Sequence, residues 1–136
     1  MKQLKYGFGV EVELPFDQAQ SLVTAALREE GFGVLTEIDV SKTMKEKLGA
    51  ELPPYVILGV CNPSLAHRAL GEDIDIGLLL PCNVVVRQEN HSTLVSVLDP
   101  NVMSGLSGAP GLKAIADEAH QKLEWALERA FDEYIE

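Results

Sequence analysis

The run Tyr-Val-Ile-Leu-Gly-Val at residues 55–60 constrains this chain most. Pro53 and Pro54 precede it and enforce extended backbone, and Cys61-Asn62-Pro63 follows it. A short, almost wholly apolar run between such breakers reads as a central strand buried on both faces, so the fold is a sheet assembled around it. Residues 5–14 alternate, with Tyr6, Phe8, Val10, Val12 and Leu14 on one face and Lys5, Gly7, Gly9, Glu11 and Glu13 on the other. That is a half-buried strand. Residues 31–40 read as the second strand, with Val34, Thr36, Ile38 and Val40 on one face and Leu35, Glu37 and Asp39 on the other. Two β-rich runs, 84–88 and 93–98, flank the polar loop Glu89-Asn90-His91-Ser92 and predict a hairpin.

Helical periodicity fills the gaps. Pro15 opens the first helix, Asp17 sits near its positive end, and Gly31 closes it. Its apolar stripe is Ala19, Leu22, Val23, Ala26 and Leu27. The longest helix is predicted from Pro110 to about Tyr134, with Leu112, Ile115, Ala116, Ala119, Leu123, Ala126, Leu127 and Ala130 turned inward. Short helices are expected at 42–48, capped by Ser41 and stopped by Gly49, and from Pro63 to about Leu70. Residues 99–111, DPNVMSGLSGAPG, have loop composition. The order β-α-β-(α)-β-α-β-β-α predicts an α+β fold. We expect a single mixed sheet of about five strands against two main helices, a two-layer sandwich, in one domain spanning residues 1–136.

Charge narrows the partners. Acidic residues outnumber basic ones 21 to 11, for a net charge of -10. That balance repels phosphate backbones, and no Lys/Arg stripe offsets it, so nucleic acid is excluded as a partner. The longest apolar stretch, 76–86, is broken by Pro81 and Asn83 and falls short of the roughly 20 residues a membrane span needs. The N-terminal segment carries Glu11 and Glu13 where a signal peptide needs an apolar run. A cytoplasmic protein without a membrane partner is the expectation.

Both cysteines of the chain precede asparagine and lie beside proline: Cys61-Asn62-Pro63 and Pro81-Cys82-Asn83. Asn62 and Pro63 suit the N-cap and first position of a helix, which leaves the choice of cysteine at 61 unexplained. A thiol beside a helix N-terminus is favoured as thiolate. If the segment between them returns the chain to the same end of the sheet, Cys61 and Cys82 converge. They then form a redox pair, bind a metal, or line a small polar pocket with Asn62 and Asn83. If the link is a full parallel crossover, they lie at opposite ends. Buried packing of both thiols is the competing account. The spacing is neither C-x-x-C nor that of a structural zinc site.

Glu37 and Asp39 share a strand face, as do Glu11 and Glu13. Were those strands neighbours, four carboxylates would cluster and suit a hard cation, so Cys61, Cys82, Glu37 and Asp39 are the metal-ligand candidates. A solvated sheet face is the plainer reading. His67 reads as solvent-facing on its short helix, and His91 lies in a hairpin loop. His120 borders the inner stripe of the last helix, with no acid partner visible. The SGLSGAPG segment runs into a helix N-terminus but lacks the P-loop pattern. Trp125 falls opposite the apolar stripe of the last helix, and a large indole there usually has a cover. A second copy of the chain is the expected one, which makes Trp125 a dimer-contact candidate.

GFGVLTEIDV, PPYVILGVCNPSLAHRAL and LLLPCNVVV, followed by LDP and Met103, resemble the family known as domain of unknown function 302, over nearly the whole chain. The resemblance implies a small α+β domain that is cytoplasmic and tends to dimerise. It emphasises Gly31, Phe32, Glu37, Asp39, Cys61, Asn62, Pro63, Ala66, Leu70, Pro81, Cys82, Asn83, Asp99 and Pro100, and it supplies no activity. Three functional readings therefore stand. The first is a homodimeric accessory module with a pocket at Cys61, Asn62, Cys82 and Asn83, taking a small-molecule or metal ligand. The second is a thiol-dependent redox enzyme or metal-binding protein using Cys61 and Cys82, and the third is a scaffold acting through the Trp125 surface. No motif implies a cofactor, and whether the chain is an enzyme stays open.

Overall fold

The computed structural model describes residues 1–135. Among them, six strands form one sheet: β1 (Lys2–Gln3), β2 (Gly7–Val12), β3 (Gly33–Asp39), β4 (Tyr55–Cys61), β5 (Cys82–Glu89) and β6 (Ser92–Leu98). Their spatial order is β1-β2-β6-β5-β4-β3, and every neighbouring pair is antiparallel. The helices are α1 (Phe16–Glu29), α2 (Val40–Leu48), α3 (Pro63–Glu72), α4 (Pro100–Ser107) and α5 (Leu112–Phe131), with a 3₁₀ segment at Ile74–Leu79. The α+β architecture is the expected one. The sheet is not mixed, however, because α3 and the 3₁₀ segment go out and back at one end of it instead of spanning it. It also has six strands rather than five, since Lys2–Gln3 pairs with Gly9 and Phe8 of β2.

Period-2 alternation sets which side of the sheet is dry. Phe8, Val10 and Val12 of β2, Val84 and Val86 of β5, and Val95 and Val97 of β6 join Leu27 of α1 and Leu123 and Leu127 of α5 in one core. On β4, Val56, Leu58 and Val60 are buried while Tyr55 and Ile57 are only half-buried. Residues 55–60 are thus covered fully on one face and partly on the other, because α1 and α5 pack on the same side. In α5 the stripe predicted from Leu112 to Ala130 is buried throughout.

Three local differences have physical causes. A bulge between Val34 and Thr36 shifts the β3–β4 register, so Val34 faces Val60 and Thr36 faces Gly59. These two side chains then leave opposite faces of the sheet, against the simple alternation. The next helix starts at Val40, because Asp39 rather than Ser41 is its cap: Asp39 Oδ1 accepts from the Lys42 amide at 3.0 Å. The Ser41 hydroxyl donates to the same oxygen at 2.8 Å. The segment at 99–111 is a loop only from Gly108 on, because residues 100–107 form α4. Asp99 Oδ1 accepts from the Asn101 amide at 2.9 Å, Pro100 occupies the first position, Met103 is buried, and left-handed Gly108 ends α4.

Replacing fully buried Leu123 by Ala is expected to cost about 2–5 kcal/mol, as a core truncation that leaves a cavity. Leu48→Ala, at an exposed position at the end of α2, should stay within about 0.5 kcal/mol. Urea unfolding midpoints at an unchanged slope check both.

Candidate functional site

Antiparallel pairing decides the geometry around the cysteines. Cys82, the first residue of β5, sits opposite Val60, so Cys61 follows one residue further along β4 at the same end of the sheet. The convergence condition is met at the backbone. Both thiols are free and not at disulfide distance. Their surroundings differ: Cys82 is buried at 8% exposure, whereas Cys61 is half-buried. Burial pushes the Cys82 thiol from the ordinary 9.0 up to about 11, and the neighbouring Cys61 adds to the push.

Asn62 holds the junction together. Its Oδ1 accepts from the Leu65 amide at 3.2 Å and caps α3, as Asn-Pro implied. Its Nδ2 donates to the Glu30 carbonyl at 3.2 Å, tying the start of α3 to the end of α1. Gly31 lies directly beneath this amide, at φ 86°, and a Cβ there would come within 2.9 Å of Asn62 Nδ2. Both polar atoms of the Asn62 side chain are thus engaged by backbone. Asn83 is exposed on the opposite side of its strand from Cys82.

Behind the two thiols lies a cavity of about 70 Å³, walled by the sheet end, α3, the 3₁₀ segment, α4 and α5. Val60, Cys61, Asn62 and Cys82 form its sheet-side wall, and Leu65, Ala69, Ile76, Met103, Ile115 and Ala116 supply much of the rest. The pocket at the Cys-Asn motifs is therefore apolar rather than polar, and Asn83 is not among its lining residues. Local sequence hid this, because α3, α4 and α5 contribute most of the wall. The one signal available was the run of small residues Ala66, Ala69, Ala116 and Ala119, which leaves space between helices.

The carboxylates do not cluster. β2 and β3 are separated by β6, β5 and β4, about 19 Å at the usual strand spacing. Glu37 faces Leu58 and accepts from Gln20 at 2.6 Å, and Asp39 faces Val56 at the far end of β4 from Cys61. Five residues of strand, roughly 17 Å, separate Asp39 from the thiols. Asp39 is held below the ordinary carboxylate range, first by the Lys42 amide and then by Ser41. No group of three or more His, Cys, Asp or Glu side chains among the described residues is arranged to hold a metal ion. His67 and His91 are exposed.

His120 does have acid partners. Its Nδ1 lies 3.1 Å from Asp99 Oδ1 and its Nε2 3.3 Å from Glu124 Oε2, and its ring packs on Phe8 at 4.6 Å. The Glu124 contact is an i,i+4 pair and was visible in the sequence, whereas the Asp99 contact depends on how α4 meets α5. Trp125 lies on the outer face of α5 at 48% exposure.

The model of the family described as "Domain of unknown function DUF302" matches residues 8–130. This chain belongs to the DUF302 family. A crystal structure of an uncharacterised conserved DUF302 protein from Bacillus stearothermophilus is 35% identical, covers 94% of this chain and 100% of its own, and superposes with a TM-score of 0.87. No curated protein matches. The DUF302 assignment agrees with the resemblance read from the three sequence blocks and carries no specific function. No helix of this DUF302 chain is long and apolar enough to cross a membrane.

The raised Cys82 value has a thermodynamic consequence. The fold favours the neutral thiol, so its stabilising contribution is complete below about pH 9 and is lost as pH rises from 9.0 to about 11. That loss amounts to on the order of 2–3 kcal/mol. Denaturation midpoints measured across this range should fall in the wild type and fall less in Cys82→Ala. Alkylation of the folded protein near pH 8 should label Cys61 and leave Cys82 unmodified.

Proposed function

We propose that the protein is an accessory binding module, working as a homodimer, whose ligand site is the apolar cavity beside Cys61 and Cys82. The observation that carries this reading is the cavity itself. A recess open to solvent with an almost wholly apolar wall leaves apolar surface uncovered, and this one lies where two strand ends and three helices meet. A roughly 150 Å³ void lined by aliphatic and aromatic side chains takes benzene, so about 70 Å³ suits an aliphatic group of roughly half that size. Cys61 supplies a polarisable wall.

A thiol-redox enzyme using this pair is less well supported. A resolving thiol must ionise, and Cys82 at about 11 is almost wholly protonated at neutral pH. A metal site is also disfavoured, because Glu37 and Asp39 are remote from the thiols. The homodimer rests on Trp125, whose exposed indole is the kind of anchor a symmetric contact uses. A cytoplasmic setting agrees with both free thiols.

Xenon uptake, followed by shifts of the Met103 and Ile115 methyl signals, tests the cavity. Wild type should respond. Ala116→Leu, which fills the void from α5, should not respond while keeping the fold. A xenon-silent wild type would remove the site. For the assembly, the expected result is a dimeric mass in solution for wild type and a monomeric one for Trp125→Ala. A Trp125→Ala dimer would exclude that contact.

A further inference from the structure

Four of the side chains lining the recess are polar: Cys61, Asn62, Cys82 and Ser104. Their hydrogen bonds decide what a ligand finds there. Asn62 is occupied, with Oδ1 accepting from the Leu65 amide at 3.2 Å and Nδ2 donating to the Glu30 carbonyl at 3.2 Å. Cys61 is half-buried, so water partners it. Ser104 is half-used. Its hydroxyl donates to the Asn101 carbonyl at 3.3 Å, one turn back on α4, which commits the proton and leaves the oxygen lone pairs free. Cys82 makes no hydrogen bond to any described residue. It is 8% exposed, and its pairing with Val60 puts the side chain on the inner face of the sheet, toward the recess. Burial keeps the thiol protonated at neutral pH, so it stands as an S–H donor without an acceptor.

The recess therefore offers one uncharged donor and one uncharged acceptor within an otherwise apolar wall. No charged side chain lines it. An ammonium or a carboxylate that entered would give up its water for a hydroxyl lone pair or a thiol hydrogen alone, a poor exchange for an ion. A hydroxyl group matches both partners, since its oxygen accepts from the thiol and its hydrogen goes to the serine oxygen. Size sets the rest of the molecule. The volume of about 70 Å³ is roughly half of the 150 Å³ that takes benzene, which leaves room for about three carbons.

We infer that the ligand of this recess is an uncharged short-chain alcohol, its alkyl chain against Leu65, Met103 and Ile115 and its hydroxyl bonded to Ser104 Oγ and the Cys82 thiol. The inference rests on the cavity reading above and adds the head group to it. A fluoroalkane of the same length fills the space but has no proton for Ser104. Propionate finds no cation in the wall, and its charge has the same sign as the net -10 of the protein. Propylamine is protonated at neutral pH and finds no carboxylate in the wall.

The test titrates propan-1-ol, 1-fluoropropane, propionate and propylamine into the whole protein at pH 7, reading the Met103 and Ile115 methyl shifts, with xenon as the reporter of the recess itself. In Ser104→Ala, propan-1-ol should bind about two- to tenfold more weakly, the worth of one neutral hydrogen bond, while 1-fluoropropane and xenon act as on the wild type. Alanine is the better helix former at this half-buried position, so the variant should fold. Propionate and propylamine should bind more weakly than propan-1-ol. Raman spectra give the second readout. The Cys82 S–H stretch, assigned by its loss in Cys82→Ala, should move to lower frequency with propan-1-ol and stay in place with 1-fluoropropane. An unchanged propan-1-ol affinity in Ser104→Ala overturns the inference. So does an unmoved S–H band, or a charged analogue that binds as tightly as the alcohol. In each of these cases a wild type that still answers xenon keeps the cavity reading. A wild type silent to xenon and to all four ligands loses both.

Discussion

Leu27, Leu123 and Leu127 close over Phe8, Val84, Val86 and Val95, and this one-sided contact organises the rest of the molecule. Both long helices lie on the same face of the sheet. The hydrophobic effect acts on apolar area removed from water, and in this chain nearly all of that area is on one side. The other side keeps half-buried Ile57 and Val85 and the exposed Ile38. An antiparallel sheet tolerates such asymmetry, whereas a parallel one needs cover on both faces. The segments holding α2 and α3 each return the chain to the end of the sheet it left, and that antiparallel order is also what brings the end of β4 beside the start of β5.

Much of this was legible in the sequence. The alternation in β2, the stripes of α1 and α5, the hairpin of β5 and β6 and the Asn62-Pro63 cap are local signals, and local signals fixed each of them. The acid-rich composition said nothing about the cavity. That recess is made by residues from five separate stretches of the chain, and no one of them has a pattern that records a gap. The α4 helix was obscured by its glycines and serines. Its formation depends on the Asp99 cap and on the burial of Met103, which is a tertiary property. The polar character expected of the pocket failed for a related reason: a dipeptide shows which side chains are adjacent in sequence, but strand alternation sends Cys82 inward and Asn83 outward.

His120 shows the same division between near and far. Its contact with Glu124 follows from helical spacing, and its contact with Asp99 arises only once α4 packs along α5. Asp99 Oδ1 also accepts from the Asn101 amide, so one oxygen serves both the helix cap and the imidazole. Asp117, one turn earlier on α5, is held below the ordinary carboxylate range first by Lys113 and then by Asn101. The base of α4 is thus bound to α5 by a polar seam, and its middle by Met103, which places a well-anchored helix as one wall of the cavity.

The fit between Gly31 and Asn62 reaches beyond this one chain. The asparagine amide occupies the space a methyl group at position 31 would need, and it holds the carbonyl just before that turn. Two positions 31 residues apart are therefore under a single steric condition. A lineage that shortens the side chain at 62 frees its turn to drift, and one that keeps asparagine must inherit glycine with it. Covariation between these two columns would be the evolutionary trace of that joint.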